Sequence, residues 1–131
     1  MTLDERRLLL DRTFDRAVNS VLDGFLHEGF TITPVDAGDL HSRSHPGCSM
    51  RYALLDAAIP ELAVAPGVAR GAAPLPACRV SVFELNGSCT LVTAENRLIR
   101  YPLLAKLAGS NADRIGDALR LIMRDELASA R

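Results

Sequence analysis

An Asn-Gly pair flanked by two runs of strand-forming residues constrains the fold of this chain more than any other feature. Residues 78–94 read Cys-Arg-Val-Ser-Val-Phe-Glu-Leu, then Asn-Gly, then Ser-Cys-Thr-Leu-Val-Thr-Ala. Such a pair predicts a type I′ turn, in which both central residues have positive φ, and therefore a β-hairpin. A two-residue loop at Asn86 and Gly87 fixes the register, so that Leu85 lies opposite Ser88.

The same register places Val82 opposite Leu91 and gives the hairpin two mixed faces. The face that we expect to lie under helices consists of Cys78, Val80, Val82, Glu84, Cys89, Leu91 and Thr93. The other face consists of Arg79, Ser81, Phe83, Leu85, Thr90, Val92 and Ala94. Because Phe83, Leu85 and Val92 make this second face apolar, the sequence predicts a symmetric homodimer through the sheet.

Length and charge restrict the class of protein. The chain has 131 residues, which fits a single domain over residues 1–131 that is large enough to bury a core. It has 15 basic and 16 acidic residues and a net charge of −1, whereas proteins that bind nucleic acids or anionic membranes have a basic surplus. We therefore expect neither nucleic acid nor membrane among its partners.

The N-terminal segment and the cysteines predict the cellular location. No run of 18 apolar residues is present to span a membrane, and the start Met-Thr-Leu-Asp-Glu-Arg-Arg does not resemble a signal peptide. Cys48, Cys78 and Cys89 are an odd number without a Cys-x-x-Cys motif, so we expect free thiols in a reducing compartment. These features predict a cytoplasmic protein.

Hydrophobic periodicity predicts one long N-terminal helix over residues 3–28. Its apolar stripe recurs at three- and four-residue steps through Leu10, Phe14, Val18, Val21, Leu22, Phe25 and Leu26. Residues 1–10 fit this period less well, which leaves a separate first segment open. Gly29 is expected to end the helix, because glycine readily adopts the left-handed conformation found there.

The middle of the chain predicts a strand, two loops and an ambiguous segment. Residues 30–35 alternate and are β-branched, and Pro34 favours a position at the sheet edge. Residues 36–48 are predicted to be a loop. Residues 51–58 are rich in Ala and Leu, so propensity favours a helix while a strand stays open. Three prolines and two glycines predict a loop over residues 65–76.

Two helices are predicted after the hairpin. A short helix begins at Pro102, where proline is well accommodated, and is interrupted over residues 109–111. Asn111 is expected to cap the final helix. The apolar stripe of that helix consists of Ile115, Leu119, Ile122, Met123 and Leu127.

Four short sequence motifs carry a resemblance to a known family. They are Glu28-Gly29-Phe30, Arg51-Tyr52, Pro60-Glu61-Leu62-Ala63 and Leu75-Pro76-Ala77-Cys78-Arg-Val-Ser-Val-Phe-Glu84. With these motifs the chain resembles the small bacterial α+β family known as domain of unknown function 302. Three positions depart from the family pattern. Ala77 stands between Leu-Pro and the Cys, Ile59 replaces an Asn, and Glu95-Asn96 replaces Asp-Pro.

The resemblance implies a fold and an assembly, but no activity. The implied fold is two-layer α+β, with an antiparallel sheet of about four strands and helices packed on one face. The resemblance also implies homodimers, a strand over residues 51–58 and a middle helix that begins at Pro60. Because the departures replace polar family residues, part of any family site is expected to be missing here. Whether the chain is an enzyme therefore stays open.

Cys78 is the candidate for a reactive thiol. A nucleophilic cysteine needs a lowered pKa, which a neighbouring base or a helix N-terminus supplies. In a regular strand, however, Arg79 points to the opposite face, and no histidine is close in sequence. The alternative, which we favour, is a small buried hydrophobic residue with a raised thiol pKa.

Three possible metal ligands, His41, His45 and Cys48, fall within eight residues. Zinc and haem iron both accept histidine and cysteine ligands, so the segment 41–48 is a candidate metal or haem site. Its spacing matches no closed zinc motif, and a fourth ligand has to come from elsewhere in the chain. The alternative is a solvated loop.

A last cluster is predicted at the open end of the hairpin. It consists of Arg79, Glu95, Arg97, Arg100 and Tyr101. Arginine binds carboxylate or phosphate through paired hydrogen bonds, so the cluster is a candidate site for a small anionic ligand. The alternative is a surface patch of ion pairs.

Three functions follow from these observations. The first is a non-enzymatic module that binds or senses a small ligand. The second is a thiol-dependent enzyme or redox protein that uses Cys78, and the third is a metal or haem binder that uses residues 41–48. The sequence contains no Gly-rich phosphate loop and no recognisable catalytic triad, and it predicts no particular cofactor.

Overall fold

The computed structural model describes residues 5–41, 49–59 and 76–129. In chain order the elements are β1 (Glu5–Leu10), α1 (Phe14–His27), β2 (Thr31–His41), β3 (Ser49–Ala58), β4 (Pro76–Asn86), β5 (Cys89–Asn96), two 3-10 helices (Leu98–Arg100 and Pro102–Leu107) and α2 (Ala108–Ser129). The strands form one antiparallel sheet in the order β1-β5-β4-β3-β2. The predicted α+β class is confirmed, but the sheet has five strands where about four were expected. No helix among these residues has the length and apolarity needed to cross a membrane.

The additional strand is β1, which lies within the predicted first helix. Glu5–Leu10 pairs antiparallel with β5, so that Arg6 lies opposite Ala94 and Leu10 opposite Thr90. Leu10 is completely buried whereas Leu9 is largely exposed, an alternation that belongs to a strand. The predicted helix over residues 3–28 is therefore wrong in its first part, because three consecutive leucines fit either period. The helix begins after the break at Asp11–Thr13.

β2 is longer than predicted and β3 is the predicted strand. β2 runs to His41, through residues that the sequence analysis assigned to a loop, and its pairing with β3 shifts between Pro34 and Asp36. This shift is a bulge at Val35, and β2 lies at the sheet edge as Pro34 predicted. The strand over residues 51–58 is confirmed, since pairing on both sides overrides the helical propensity of Ala and Leu. Residues 42–48 and 60–75, with the predicted middle helix, lie outside the described residues.

The predicted hairpin exists, but its register is one residue away from the expected one. Val80 pairs with Ala94, where Thr93 was expected, and Val82 pairs with Val92, where Leu91 was expected. A register shift between Glu84 and Asn86 leaves one extra residue in β4, and such a bulge turns every β5 side chain to the other face. The buried β5 residues are Thr90, Val92, Ala94 and Asn96. Val92, expected on the dimer face, is therefore part of the core.

The turn itself is also displaced by one residue. Asn86 pairs with Cys89, so Gly87 and Ser88 are the central residues. Within the described residues only Gly29 has a positive φ, and the expected type I′ turn at Asn86-Gly87 is wrong. The Asn86 side chain instead accepts hydrogen bonds from the Ser88 amide (2.8 Å) and hydroxyl (3.1 Å), which stabilises a turn without left-handed residues.

Substitution of Gly29 should destabilise the protein, whereas substitution of Gly87 should have little effect. Gly29 has a φ of +87° in the C-terminal turn of α1, whereas a Cβ on Gly87 would meet no atom within 4 Å. Gly29→Ala should lower the free energy of unfolding by about 1 kcal/mol, because alanine is strained in the left-handed region. Gly87→Ala should change it by less than about 0.5 kcal/mol. Urea denaturation of both variants checks this, and an equal loss at the two positions would contradict the observed turn.

The core is formed by buried residues of the sheet and of both helices. Its central strand residues are Cys78, Val80, Val82 and Val92, and its helical residues include Phe14, Val21, Phe25, Ile115, Ala118 and Ile122. α2 begins at Ala108, three residues before the predicted cap, so Gly109 does not interrupt it. Asn111 lies inside the helix and is buried, because its side chain bonds to groups of the sheet and not to its own helix.

Candidate functional site

Arg79, the first member of the predicted anion cluster, is engaged by a carboxylate. It lies opposite Asp56 on β3 and Glu95 on β5, on the face that points away from the core. Its Nε donates to Asp56 Oδ1 at 2.5 Å and its Nη2 to Oδ2 at 3.3 Å. The hydrogen bonds that Arg79 donates to Asp56 raise the pKa of Arg79 above its ordinary value. This bidentate pair satisfies the fork that an anionic ligand would use.

The other members of the cluster meet at Glu95. Arg100 donates to Glu95 Oε1 at 2.5 Å, and Arg97 Nε lies 3.7 Å from Oε2. Tyr101 is half-buried against the core and serves the backbone turn between the two 3-10 helices. The structure thus brings Glu95, Arg97 and Arg100 together as predicted, but as an ion-pair network in which the guanidinium groups already face carboxylates.

Cys78 is buried at the entrance of β4. Its exposed fraction is 0%, and Arg79 points to the opposite face as predicted. Burial raises the pKa of the thiol, and the charge of nearby Glu95 raises it further. A thiol that is both inaccessible and protonated is a poor nucleophile, so this geometry opposes the thiol-enzyme hypothesis. Cys89, the other free thiol that the structure describes, is half-buried near the turn.

The candidate metal ligands fall mostly outside the described residues. His41 is the last residue of β2, where it pairs with Ser49, and His45 and Cys48 belong to residues 42–48. Within the part of the chain that the structure covers, no group of three or more His, Cys, Asp or Glu side chains is arranged to hold a metal ion. The metal hypothesis remains a prediction about residues 41–48.

A pair of buried asparagines that is absent from the predicted sites joins the sheet to α2. Asn96 Nδ2 donates to the Ala108 carbonyl at 2.8 Å, and Asn96 Oδ1 accepts from the Leu98 amide at 3.2 Å. Asn111 Nδ2 donates to Asn96 Oδ1 at 2.7 Å and to the Ala77 carbonyl at 2.9 Å. The network therefore ties the end of β5 and the start of β4 to the first turn of α2. No local sequence pattern predicts this pair, because the two asparagines meet only when distant segments of the chain pack together.

One atom of this network has no partner. Asn111 is 2% exposed, both hydrogens of its Nδ2 are used, and its Oδ1 accepts no hydrogen bond from the described residues. Asn111 also lines a cavity of about 420 Å³, within the size range of small-molecule sites. The lining residues are Glu28, Ile59, Leu98, Leu107, Ser110, Asn111, Asp113, Arg114 and Asp117.

The cavity, which we call the Asn111 cavity, combines an apolar wall with an acidic rim. Ile59, Leu98 and Leu107 supply the apolar part. The charged lining residues are Glu28, Asp113, Arg114 and Asp117. Because Asp117 is paired with Arg120 outside the lining, the carboxylates of Glu28 and Asp113 remain against the guanidinium of Arg114. The guanidinium of Arg114 lies 5.9 Å from the centroid of the Phe30 ring, a cation–π distance. A ligand with a hydrogen-bond donor and a positive charge suits this lining better than an anion.

Comparisons with known proteins give no family. No protein-family model and no curated protein matches the chain. A solved structure, TTHA0849 from Thermus thermophilus, is similar over 98% of this chain and 99% of that chain, with 12% sequence identity and a TM-score of 0.36. A likeness at this level indicates no function.

Proposed function

We propose that this protein is a small-ligand binding module and that its ligand occupies the Asn111 cavity. The observation that carries the proposal is the buried side-chain oxygen of Asn111, Oδ1, which has no hydrogen-bond partner among the described residues and belongs to a residue that lines a cavity large enough for a small molecule. An unsatisfied buried acceptor costs about 1–3 kcal/mol. A ligand that donates one hydrogen bond to this oxygen recovers that energy on binding.

The lining specifies the class of ligand. Ile59, Leu98 and Leu107 favour a short apolar body, while the orphan oxygen requires an N–H or O–H donor. The excess of carboxylates favours a cationic or neutral donor. We therefore expect small amines and primary amides to bind, and compounds without a donor hydrogen to bind more weakly.

Ligand-observed and protein-observed NMR test this proposal with butylamine and butanamide, and with 2-pentanone as the compound that lacks a donor. We expect saturable binding of the two donors, with shifts in the first two turns of α2, and at least tenfold weaker binding of 2-pentanone. Ser110→Phe, which places a ring at the cavity lining without removing a bond of Asn111, should abolish binding. Lys106→Phe, an exposed neighbour outside the lining, is the matched control. Equal binding of all three compounds would overturn the proposal.

The predicted homodimer is retained as a second proposal, on a corrected set of residues. We place both helices on the core side of the sheet and the partner copy on the opposite side. There the register aligns Leu9, Leu91, Phe83 and Tyr52 across four neighbouring strands. Two rows away, Glu5, Glu95, Arg79 and Asp56 align, so the face carries both signs of charge, as a self-complementary interface requires.

Light scattering tests the dimer. At micromolar concentration the mass should be twice the chain mass of 14.1 kDa. Phe83→Glu should give a folded monomer, because it places a charge in the centre of the apolar row. Leu103→Glu, on a residue that is 78% exposed in the second 3-10 helix, should leave the dimer intact. A wild-type monomer over the whole concentration range rules the proposal out.

The resemblance to domain of unknown function 302 and the cytoplasmic location stay predictions.

A further inference from the structure

A second concave site lies between β1 and α2. It is a groove of about 240 Å³ lined by Arg6, Arg7, Leu8, Leu119, Arg120 and Met123, together with Gly116. None of these described lining residues is acidic, and three of them carry guanidinium groups. The groove thus has the opposite electrostatic character to the Asn111 cavity. One of its walls is β1, the strand that lies within the predicted first helix.

Arg6 differs from its two neighbours in the groove. Arg7 donates to Glu5 at 3.0 Å, and Arg120 is paired with Asp117 one turn earlier on α2. Both pairs are exposed, and exposed pairs exchange readily because they contribute little stability. Arg6 is half-buried on the helix-facing side of β1, opposite Ala94, and no carboxylate of the described residues lies within ion-pair distance of it. A partly desolvated cation without a counter-ion is a ready anion receptor.

Gly116 explains how Arg6 is accommodated. Glycine weakens the interior of a helix, and α2 nevertheless carries one at this position. A Cβ at position 116 would lie 3.2 Å from Arg6 Cζ and closer still to Nη1. The missing side chain therefore leaves the space in which the Arg6 guanidinium rests against the helix.

We propose that this groove binds a small monocarboxylate that carries an apolar tail. The carboxylate is held by Arg6 through paired hydrogen bonds, with Arg7 and Arg120 adding positive charge at the rim. The tail contacts Leu8, Leu119 and Met123, and the flexible methionine adapts to its length. A volume of about 240 Å³ is below the range of drug-sized sites, which restricts the ligand to a short chain. The site is separate from the Asn111 cavity, and either proposal can fail without the other.

A titration of the full chain with hexanoate, followed by amide NMR, tests the proposal. We expect saturable shifts confined to residues 6–8 and 116–123, weakening with added salt because the contact is ionic. Hexylamine should give no shifts there. Inorganic phosphate should bind at least tenfold more weakly than hexanoate, because it makes no apolar contact. Phosphate that binds as well as hexanoate overturns the assignment of the tail, and hexanoate shifts elsewhere overturn the site.

Two variants separate the role of Arg6 from that of general charge. Arg6→Gln should weaken hexanoate binding about tenfold or more, since a charge-assisted bidentate contact is lost. Gly116→Ala should also weaken it several-fold without changing any charge, because the new Cβ displaces the guanidinium, and alanine should keep the helix folded. Arg124→Gln, an exposed arginine one turn beyond Arg120, is the matched control and should bind as the wild type does. Wild-type affinity in Gly116→Ala and Arg6→Gln rejects the proposal.

Discussion

Asn96→Ala should lower the free energy of unfolding by about 3–5 kcal/mol, one of the largest effects expected for a single substitution in this chain. The change leaves two buried donors without their partner, the Leu98 amide and one N–H of Asn111, and it removes one hydrogen bond from the Ala108 carbonyl. Each unsatisfied buried donor costs about 1–3 kcal/mol, and neither of the two reaches water easily. Urea denaturation gives the free energy, and calorimetry should show a melting temperature lower by more than about 10 °C.

Asn19→Ala is the matched control for this substitution. Asn19 is exposed on α1, so its replacement should change stability by less than about 0.5 kcal/mol, and the better helix propensity of alanine should make the change favourable. If Asn96→Ala lowered the free energy of unfolding by less than about 1 kcal/mol, water or a small backbone movement would satisfy the exposed donors. The packing of α2 against β5 would then not depend on the asparagine pair.

The parts of the fold that sequence could predict are those determined by local signals. The hairpin, the strand character of residues 30–35, the end of α1 at Gly29 and the stripe of α2 through Ile115 and Ile122 all follow from spacing within a few residues. Each is confirmed because propensity, periodicity and burial agree there.

The errors arise where two local patterns compete or where a single residue changes the outcome. Leu8–Leu10 fits both a helix and a strand, and only pairing with β5 decides between them. In the hairpin the strand assignment is right, yet the bulge near Leu85 inverts the β5 face, because strand side chains alternate with a period of two. The Asn86 side chain accepts hydrogen bonds from Ser88 in the observed turn. The Asn-Gly pair alone does not distinguish such a turn from a type I′ turn.

The candidate site was predicted least well, for a related reason. Glu95, Arg97 and Arg100 do come together, since they are close in sequence at a strand end. Asn96, their neighbour, points to the core and meets Asn111 fifteen residues later. Nothing in the composition marks this contact, because buried amides look like surface amides until the tertiary structure removes their water.

Wild-type protein should lose about 2 kcal/mol of unfolding free energy between pH 9 and pH 11 through Cys78 alone. Burial keeps the thiol protonated in the folded state by raising its pKa, whereas in the unfolded chain it ionises near its ordinary value of 9.0. Above that value the unfolded state binds one proton fewer than the native state, so the free energy of unfolding falls as pH rises. The limiting slope for one proton is about 1.4 kcal/mol per pH unit. Below pH 8 both states hold the proton, and this contribution to stability is fully present.

Cys78→Ala isolates this contribution from the other groups that titrate at high pH. At pH 7 the variant should be less stable than the wild type by about 1 kcal/mol, because it loses packing around a side chain with no exposed surface. As the pH rises from 9 to 11 the difference should shrink and reverse, since alanine has no proton to lose. Urea denaturation at pH 7, 9, 10 and 11 measures both curves. Parallel curves for wild type and Cys78→Ala would mean that the Cys78 thiolate is tolerated in the folded state, and the thiol-enzyme hypothesis would then gain the support that the buried geometry denies it.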